Sequence, residues 1–211
     1  MIVAQISVSV DGYAAGPSPS LDDPLGVGGE QLHEWAFRLE AWRRQHGLDG
    51  GEVDLDTPLI EEAETEIGAV VMGRKMFSGG EGPWADDPNG RGWWGDEPPF
   101  HAPVFVLTHH EREPLELTGT TFHFVTDGFE SAVARARDAA GDANVSIAGG
   151  ASVVQQCLAA GLLDELMVHT APVILGGGTR LFEDGLPPAR LQVAEVVSVP
   201  FATHVRYRLD R

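Results

Sequence analysis

A handful of glycines, one lysine and a few hydroxyl and imidazole side chains carry the chemistry this sequence can do. In Val145-Ser-Ile-Ala-Gly-Gly-Ala-Ser-Val-Val-Gln-Gln-Cys-Leu158 a short apolar run meets Gly149-Gly150. Val153, Val154, Cys157 and Leu158 then recur at helical spacing, and Gly161 stands where a helix stops. A strand–Gly-Gly–helix junction leaves first-turn N–H groups without helical partners and places the positive end of the helix dipole beside them. Phosphate binds at such a place, and glycine lets it approach the backbone with no Cβ in the way. Taken alone, Gly-Gly fits a plain tight turn equally well.

Two further strand ends shift that balance. Ala69-Val-Val-Met72 runs into Gly73-Arg74-Lys75, where another helix opens, and Pro103 to Leu107 runs into Thr108-His109-His110. Lys75 is the only lysine in a chain of formal net charge −18, so any anionic ligand depends on local donors. Ligands of open α/β sheets sit beyond the carboxyl ends of the strands. Three such ends, with N–H groups, a hydroxyl, Arg74 and Lys75, suit a dinucleotide with several phosphates. The standard dinucleotide fingerprint is absent: Gly26-Val-Gly28-Gly29 follows a Pro/Asp loop and not a strand. There is no P-loop and no G-x-S-x-G nucleophile elbow, which argues against a hydrolase.

Other residues keep two readings. Asp11, in Asp11-Gly12, suits a proton source or a substrate acceptor, and equally a turn that ends a strand. His109 and His110 have no third ligand with supporting spacing, so no metal site is expected. Trp84, Trp93 and Trp94 suit an aromatic wall over a planar heterocycle, or core and dimer packing. Gly176 to Gly178 either shape a pocket or turn between strands. Cys157 lies on an apolar helix face and reads as inert core.

The whole chain bounds these choices. Its 211 residues, 43% hydrophobic, suit one globular domain. No run of 18 apolar residues exists, and Met1 to Val8 reads as a first strand and not a signal peptide. A single cysteine excludes an internal disulfide and a multi-cysteine zinc site, and a cytoplasmic location is the default. The acidic balance disfavours nucleic acid and anionic membrane as partners.

The elements that must position these residues follow in order. Ile2 to Val10 is a strand, and Glu30 to His46 is a helix with Leu32, Trp35, Ala36, Leu39 and Trp42 on one face. Thr57-Pro58 opens a helix that turns Leu59, Ile60, Ala63 and Ile67 inward and leaves Glu61, Glu62, Glu64 and Glu66 solvated. Residues 78–99 form a long Gly-, Pro- and Trp-rich loop. Strands are expected at Phe122 to Val125 and Glu165 to Val173, and a helix from Phe129 to about Ala140. Leu191 to Val199 and His204 to Leu209 alternate as a closing antiparallel pair. This order predicts an α/β fold with a mixed, mainly parallel sheet flanked by helices and a C-terminal antiparallel hairpin.

Met72-Gly-Arg-Lys-Met-Phe77, Val106-Leu-Thr-His109 and Ile147-Ala-Gly-Gly-Ala-Ser-Val153 stand in the order used by dihydrofolate reductase-like proteins. With Ser7-Val-Ser-Val-Asp-Gly12 and Ala171-Pro-Val-Ile-Leu-Gly-Gly-Gly178, the chain resembles most the reductase domain of the riboflavin-biosynthesis deaminase-reductase and its stand-alone relatives. The resemblance spans Met1 to about Leu209, with apparent insertions at about 17–56 and 79–100. It implies a single NADPH-dependent reductase domain acting on a pyrimidine- or pteridine-like heterocycle, and a homodimer. Gly73, Arg74 and Lys75 would hold phosphates of the adenosine half, and Thr108 and His109 would line the 2′-phosphate and adenine side. Gly149, Gly150, Ala151, Ser152 and Val153 would bind the pyrophosphate, and Asp11-Gly12 would lie near nicotinamide and substrate. The chain departs from the family in two respects. The deaminase signature H-x-E with P-C-x-x-C is absent, and the first-helix region that should carry a buried pterin-binding carboxylate is rebuilt, with Glu34 only a nominal candidate. A nucleotide-binding module without turnover, and a reductase using a flavin or deazaflavin, are the alternatives.

Overall fold

The structure, a computed structural model, describes residues 1–62 and 66–210, without the Glu62 side chain. In chain order the strands are β1 (Ile2–Ser9), β2 (Tyr13–Ala15), β3 (Ile67–Gly73), β4 (Val104–Leu107), β5 (Leu115–Leu117), β6 (Thr120–Val125), β7 (Asn144–Ile147), β8 (Glu165–Ala171), β9 (Thr179–Arg180), β10 (Leu191–Val199) and β11 (Ala202–Leu209). The helices are α1 (Glu34–Phe37), α2 (Glu40–Gln45), α3 (Thr57–Glu62), α4 (Arg74–Ser78), α5 (Phe129–Ala140) and α6 (Ala151–Ala159), with single 3-10 turns at Gly29–His33 and Trp84–Asp86. Among the described residues no helix is long and apolar enough to cross a membrane. The fold is α/β, mainly parallel where the candidate site lies, with an antiparallel C-terminal hairpin.

The chain forms two compact units, residues 1–4 with 66–163, and residues 5–65 with 164–211. In the first unit the strand order is β1-β7-β3-β4-β6-β5, parallel throughout except for β5 at the edge. Strands covered on both faces need side chains that tolerate burial everywhere, hence the unbroken apolar run Ala69-Val-Val-Met72. Phe129, Ala132, Val133 and Ala136 of α5 bury along one stripe. Val70, Met72, Phe77, Val104, Val106 and Phe122 form a second core, against which Trp84, Trp94, Phe100 and Phe124 pack. Two of the three loop tryptophans are therefore packing residues. Trp93 is partly exposed and donates its indole N–H to the Met76 carbonyl at 3.1 Å.

In the second unit the order is β10-β11-β8-β1, and β10 pairs with β11 as the expected antiparallel hairpin. The helix expected over Glu30 to His46 is broken into a 3-10 turn, α1 and α2. The break falls at Leu39, whose backbone is extended (φ −80°, ψ 137°). Beside it the Arg38 guanidinium pairs with Glu52, Asp54 and Asp56 at 2.8, 2.5 and 2.6 Å. Backbone bonds Glu40 N–H to Glu52 O and Glu52 N–H to Arg38 O, both 2.9 Å, join the two segments, which a continuous helix would not allow. The helix opened by Thr57 is described to Glu62. Ala63 and Glu64 lie outside the described residues, and Ile67 begins β3 instead of turning inward from a helix.

Behind Arg38 sits a buried polar array. His204 and His169 are cross-strand partners on β11 and β8, with Nδ1 atoms 2.7 Å apart. His204 Nε2 lies 3.2 Å from the fully buried Asp56 carboxylate, and Trp35 covers both rings with centroids 4.4 and 4.7 Å away. Burial pushes both imidazoles below the usual histidine range, His169 far below it.

Candidate functional site

In the first unit, parallel strands β7, β3 and β4 end on the same side, because their register places Val71 beside Ile147 and Gly73 beside Leu107. The three glycine and hydroxyl junctions expected from the sequence therefore share one edge. Gly73 and Gly149 are joined directly: the Gly73 N–H donates to the Gly149 carbonyl at 3.0 Å. A Cβ on Gly73 would meet Val153 Cγ2 at 3.1 Å, so glycine here lets the start of α6 seat against β3.

Gly149 is buried with φ 108°, Gly150 is exposed, and the peptide between them is cis. A Cβ at either position would meet nothing within 4 Å, so open space lies off this backbone. The Val153 N–H returns to the Gly150 carbonyl at 3.0 Å, whereas those of Ala151 and Ser152 find no acceptor among the described residues. Two free N–H groups, the N-terminus of a nine-residue helix and room for an anion fit a diphosphate.

The neighbouring residues differ in availability. Thr108 is buried and its Oγ1 accepts the His110 N–H at 3.2 Å, so the hydroxyl holds its own turn, while His109 is exposed. Lys75 is exposed and pairs with the equally exposed Glu81. Arg74 is turned away from solvent. Its guanidinium bonds the Ser78 hydroxyl and the Asp87 carboxylate and lies 3.5 Å from the Trp84 ring centroid. Ser78 and Arg74, with the Asn89 N–H, hold Asp87 below the usual carboxylate range against the opposing effect of burial. Of the two cations expected at phosphate, Arg74 has buried protein partners and Lys75 pairs at the surface. The sequence did not disclose Ser78, Trp84 or Asp87 as Arg74's partners. The available signal was an arginine followed by a loop containing Asp86-Asp87-Pro88-Asn89.

Asp11 belongs to the second unit. Its carboxylate accepts the N–H groups of Leu175 and Gly176 at 3.1 and 2.8 Å, which ties the end of β1 to the glycine-rich turn. Ser9 and these backbone donors lower its pKa, so it is a charged acceptor at neutral pH. Gly178, with φ 120°, approaches so closely that a Cβ would lie 2.0 Å from the Ala15 carbonyl oxygen, so this turn requires glycine. Arg180 lies over the Tyr13 ring, 4.7 Å from its centroid. Glu34, the nominal pterin carboxylate, is exposed and not buried. Among the described residues no cluster of histidine, cysteine or carboxylate side chains could hold a metal.

Residues 1–205 match the sequence family described as the RibD C-terminal domain. Among solved structures, a putative riboflavin biosynthesis protein from Shewanella sp. PV-4 is similar at TM-score 0.64 and 22% identity, covering 99% of this chain and 98% of that one. A diaminohydroxyphosphoribosylaminopyrimidine deaminase/5-amino-6-(5-phosphoribosylamino)uracil reductase from Thermotoga maritima is similar at TM-score 0.55 and 15% identity. There the match covers all of this chain and 56% of the other. Dihydrofolate reductase from Enterococcus faecalis, complexed with NADP(H), is similar at TM-score 0.53 and 15% identity, covering 100% and 97%. No protein of curated function matches the sequence.

Proposed function

The chain belongs to the RibD C-terminal domain family, and on that premise we propose that it is an NADPH-dependent oxidoreductase reducing a pyrimidine- or pteridine-like heterocycle. The observation that supports this reading is the open space off Gly149 and Gly150 beside the free N–H groups of Ala151 and Ser152. Those groups, with Val153 at the close of the first turn, would take the pyrophosphate. Gly73 and Lys75 would take the adenosine-side phosphate, with Thr108 and His109 beside it. NADPH supplies hydride, and the protein's work is then to bind, align and exclude water, with no nucleophile required. Asp11, charged and fixed to Leu175 and Gly176, would orient substrate as an acceptor. The protein would act in the cytoplasm as a homodimer.

Mixing purified protein with NADPH tests the first half of the reading by quenching or shifting of nicotinamide fluorescence. A panel of pyrimidine and pteridine substrates tests the second by loss of NADPH absorbance. Binding with no turnover across the panel would favour the nucleotide-binding module, for which the exposed Glu34 already speaks where folates are concerned. Failure to bind NADPH, with tight binding of a flavin or deazaflavin, would replace the cofactor.

A further inference from the structure

The loop that carries Trp84 joins two parts of the candidate cofactor site by an unbroken set of contacts. It begins at Arg74, the residue after Gly73. The Arg74 guanidinium is held by Ser78 and Asp87, the Ser78 hydroxyl bonds the same Asp87 oxygen at 2.7 Å, and the Asn89 N–H takes the other at 2.9 Å. The guanidinium stacks on Trp84, and the Trp84 indole N–H donates to the His110 carbonyl at 2.8 Å. His110 in turn donates its N–H to Thr108 Oγ1. Arg112 flanks the same indole at 4.8 Å and bonds the Gly90 carbonyl.

The Trp84 indole N–H is directed at the turn after β4, and the ring face at the cation after β3. We propose that Trp84 is a positioning residue. It fixes the Thr108–His110 turn relative to the Gly73–Lys75 junction, and so sets the spacing at which the protein accepts the adenosine 2′-phosphate end of the cofactor. The inference rests on the NADPH reading above. It assigns the inserted segment to the adenosine half and not to a lid over the heterocycle.

The test uses adenosine 2′,5′-bisphosphate as the probe, titrated by calorimetry, and urea unfolding in parallel. Trp84→Phe keeps an aromatic ring against Arg74 and removes the N–H. Losing one such hydrogen bond corresponds to a roughly threefold to tenfold weaker affinity, with the urea midpoint close to wild type. Thr108→Ala cuts the same turn from its other anchor. If both act through that turn, the double variant binds no more weakly than the worse single variant. Multiplicative losses, or a Trp84→Phe protein with wild-type affinity, would overturn the positioning role. So would an affinity loss that merely follows a large fall in the urea midpoint. A wild-type protein that fails to bind the probe would overturn the NADPH reading, and this inference with it.

Discussion

Replacing Arg74 and Lys75 one at a time should separate two effects that the sequence joins. Arg74→Ala removes a cation whose side chain is 8% exposed from a carboxylate, Asp87, that is 3% exposed. Leaving a buried charge without its partner costs about 3–5 kcal/mol. Asp87 keeps the Ser78 hydroxyl and the Asn89 N–H, so the lower end applies, about 3 kcal/mol out of a total near 5–15 kcal/mol. With a urea slope of about 2–3 kcal/mol per molar, the midpoint should fall by roughly 1–1.5 M. Lys75 is 65% exposed beside a Glu81 that is 68% exposed. Such pairs contribute about 0–1 kcal/mol, so Lys75→Ala should unfold like wild type. Its effect belongs in binding. A charge-assisted hydrogen bond to phosphate is worth about 1.5–3 kcal/mol, and the lower end at an exposed site means roughly tenfold for NADPH and little for NADH. The NADPH preference should shrink in high salt. Urea denaturation and paired NADPH and NADH titrations check both halves. An Arg74→Ala protein of wild-type stability that loses NADPH would show the guanidinium facing cofactor and refute the buried pair. Equal loss of both cofactors in Lys75→Ala would move Lys75 to the shared pyrophosphate.

Gly150→Val puts an isopropyl group into open space, so stability should change by less than about 0.5 kcal/mol while NADPH affinity falls at least tenfold; unchanged affinity would place the phosphates elsewhere. Acid should destabilise the protein in two steps. The buried His169 and His204 hold fewer protons folded than unfolded, so stability drops as pH falls below about 6.5, and a second loss comes below about 3.8, where Asp54 and Asp87 are protonated. Urea midpoints measured across that range check this, and a midpoint flat between pH 7 and 5, roughly the window in which histidines titrate, would contradict the neutral histidine pair. A homodimer is expected, with the outermost strand β10 of the second unit, where Val193 and Val196 are 62% and 57% exposed, as the apolar area to cover. Light scattering that returned a single-chain mass at micromolar concentration would exclude it.

What could be read from the sequence depends on how local the cause is. The strands β3 and β4 announce themselves because burial on both faces demands unbroken apolar runs. The junctions at Gly73 and Gly149-Gly150 do so because a turn and a helix start are decided within a few residues. The break in the helix at Leu39 could not be seen, since it accompanies long-range contacts: Arg38 finds its acids 14 to 18 residues further on. The His169–His204 pair needs the register of β8 against β11, which no single strand contains. Trp84 and Trp94 looked free to form a wall over a ligand because their loop has no period, and its packing against Phe77, Phe122 and Phe124 is long-range.

Arg74 shows how the overall charge balance bears on reading a site. A motif of glycine, arginine and lysine at a helix start suggests two phosphate ligands when each residue is judged alone. In this chain 32 acidic side chains face 14 basic ones. A cation that enters the interior here must be matched: Arg38, Arg74 and Arg206 have carboxylates within hydrogen-bond reach, while the half-buried Arg43 and Arg112 bond the backbone carbonyls of Asp49 and Gly90. The cation that keeps its charge open to exchange is the one at the surface. Among the described residues Lys75 pairs with the exposed Glu81, a partner that a doubly charged phosphate could displace at small cost. On the proposed NADPH reading, selectivity for the 2′-phosphate would turn on Lys75, on the Thr108–His110 turn, and on the indole bonded to that turn.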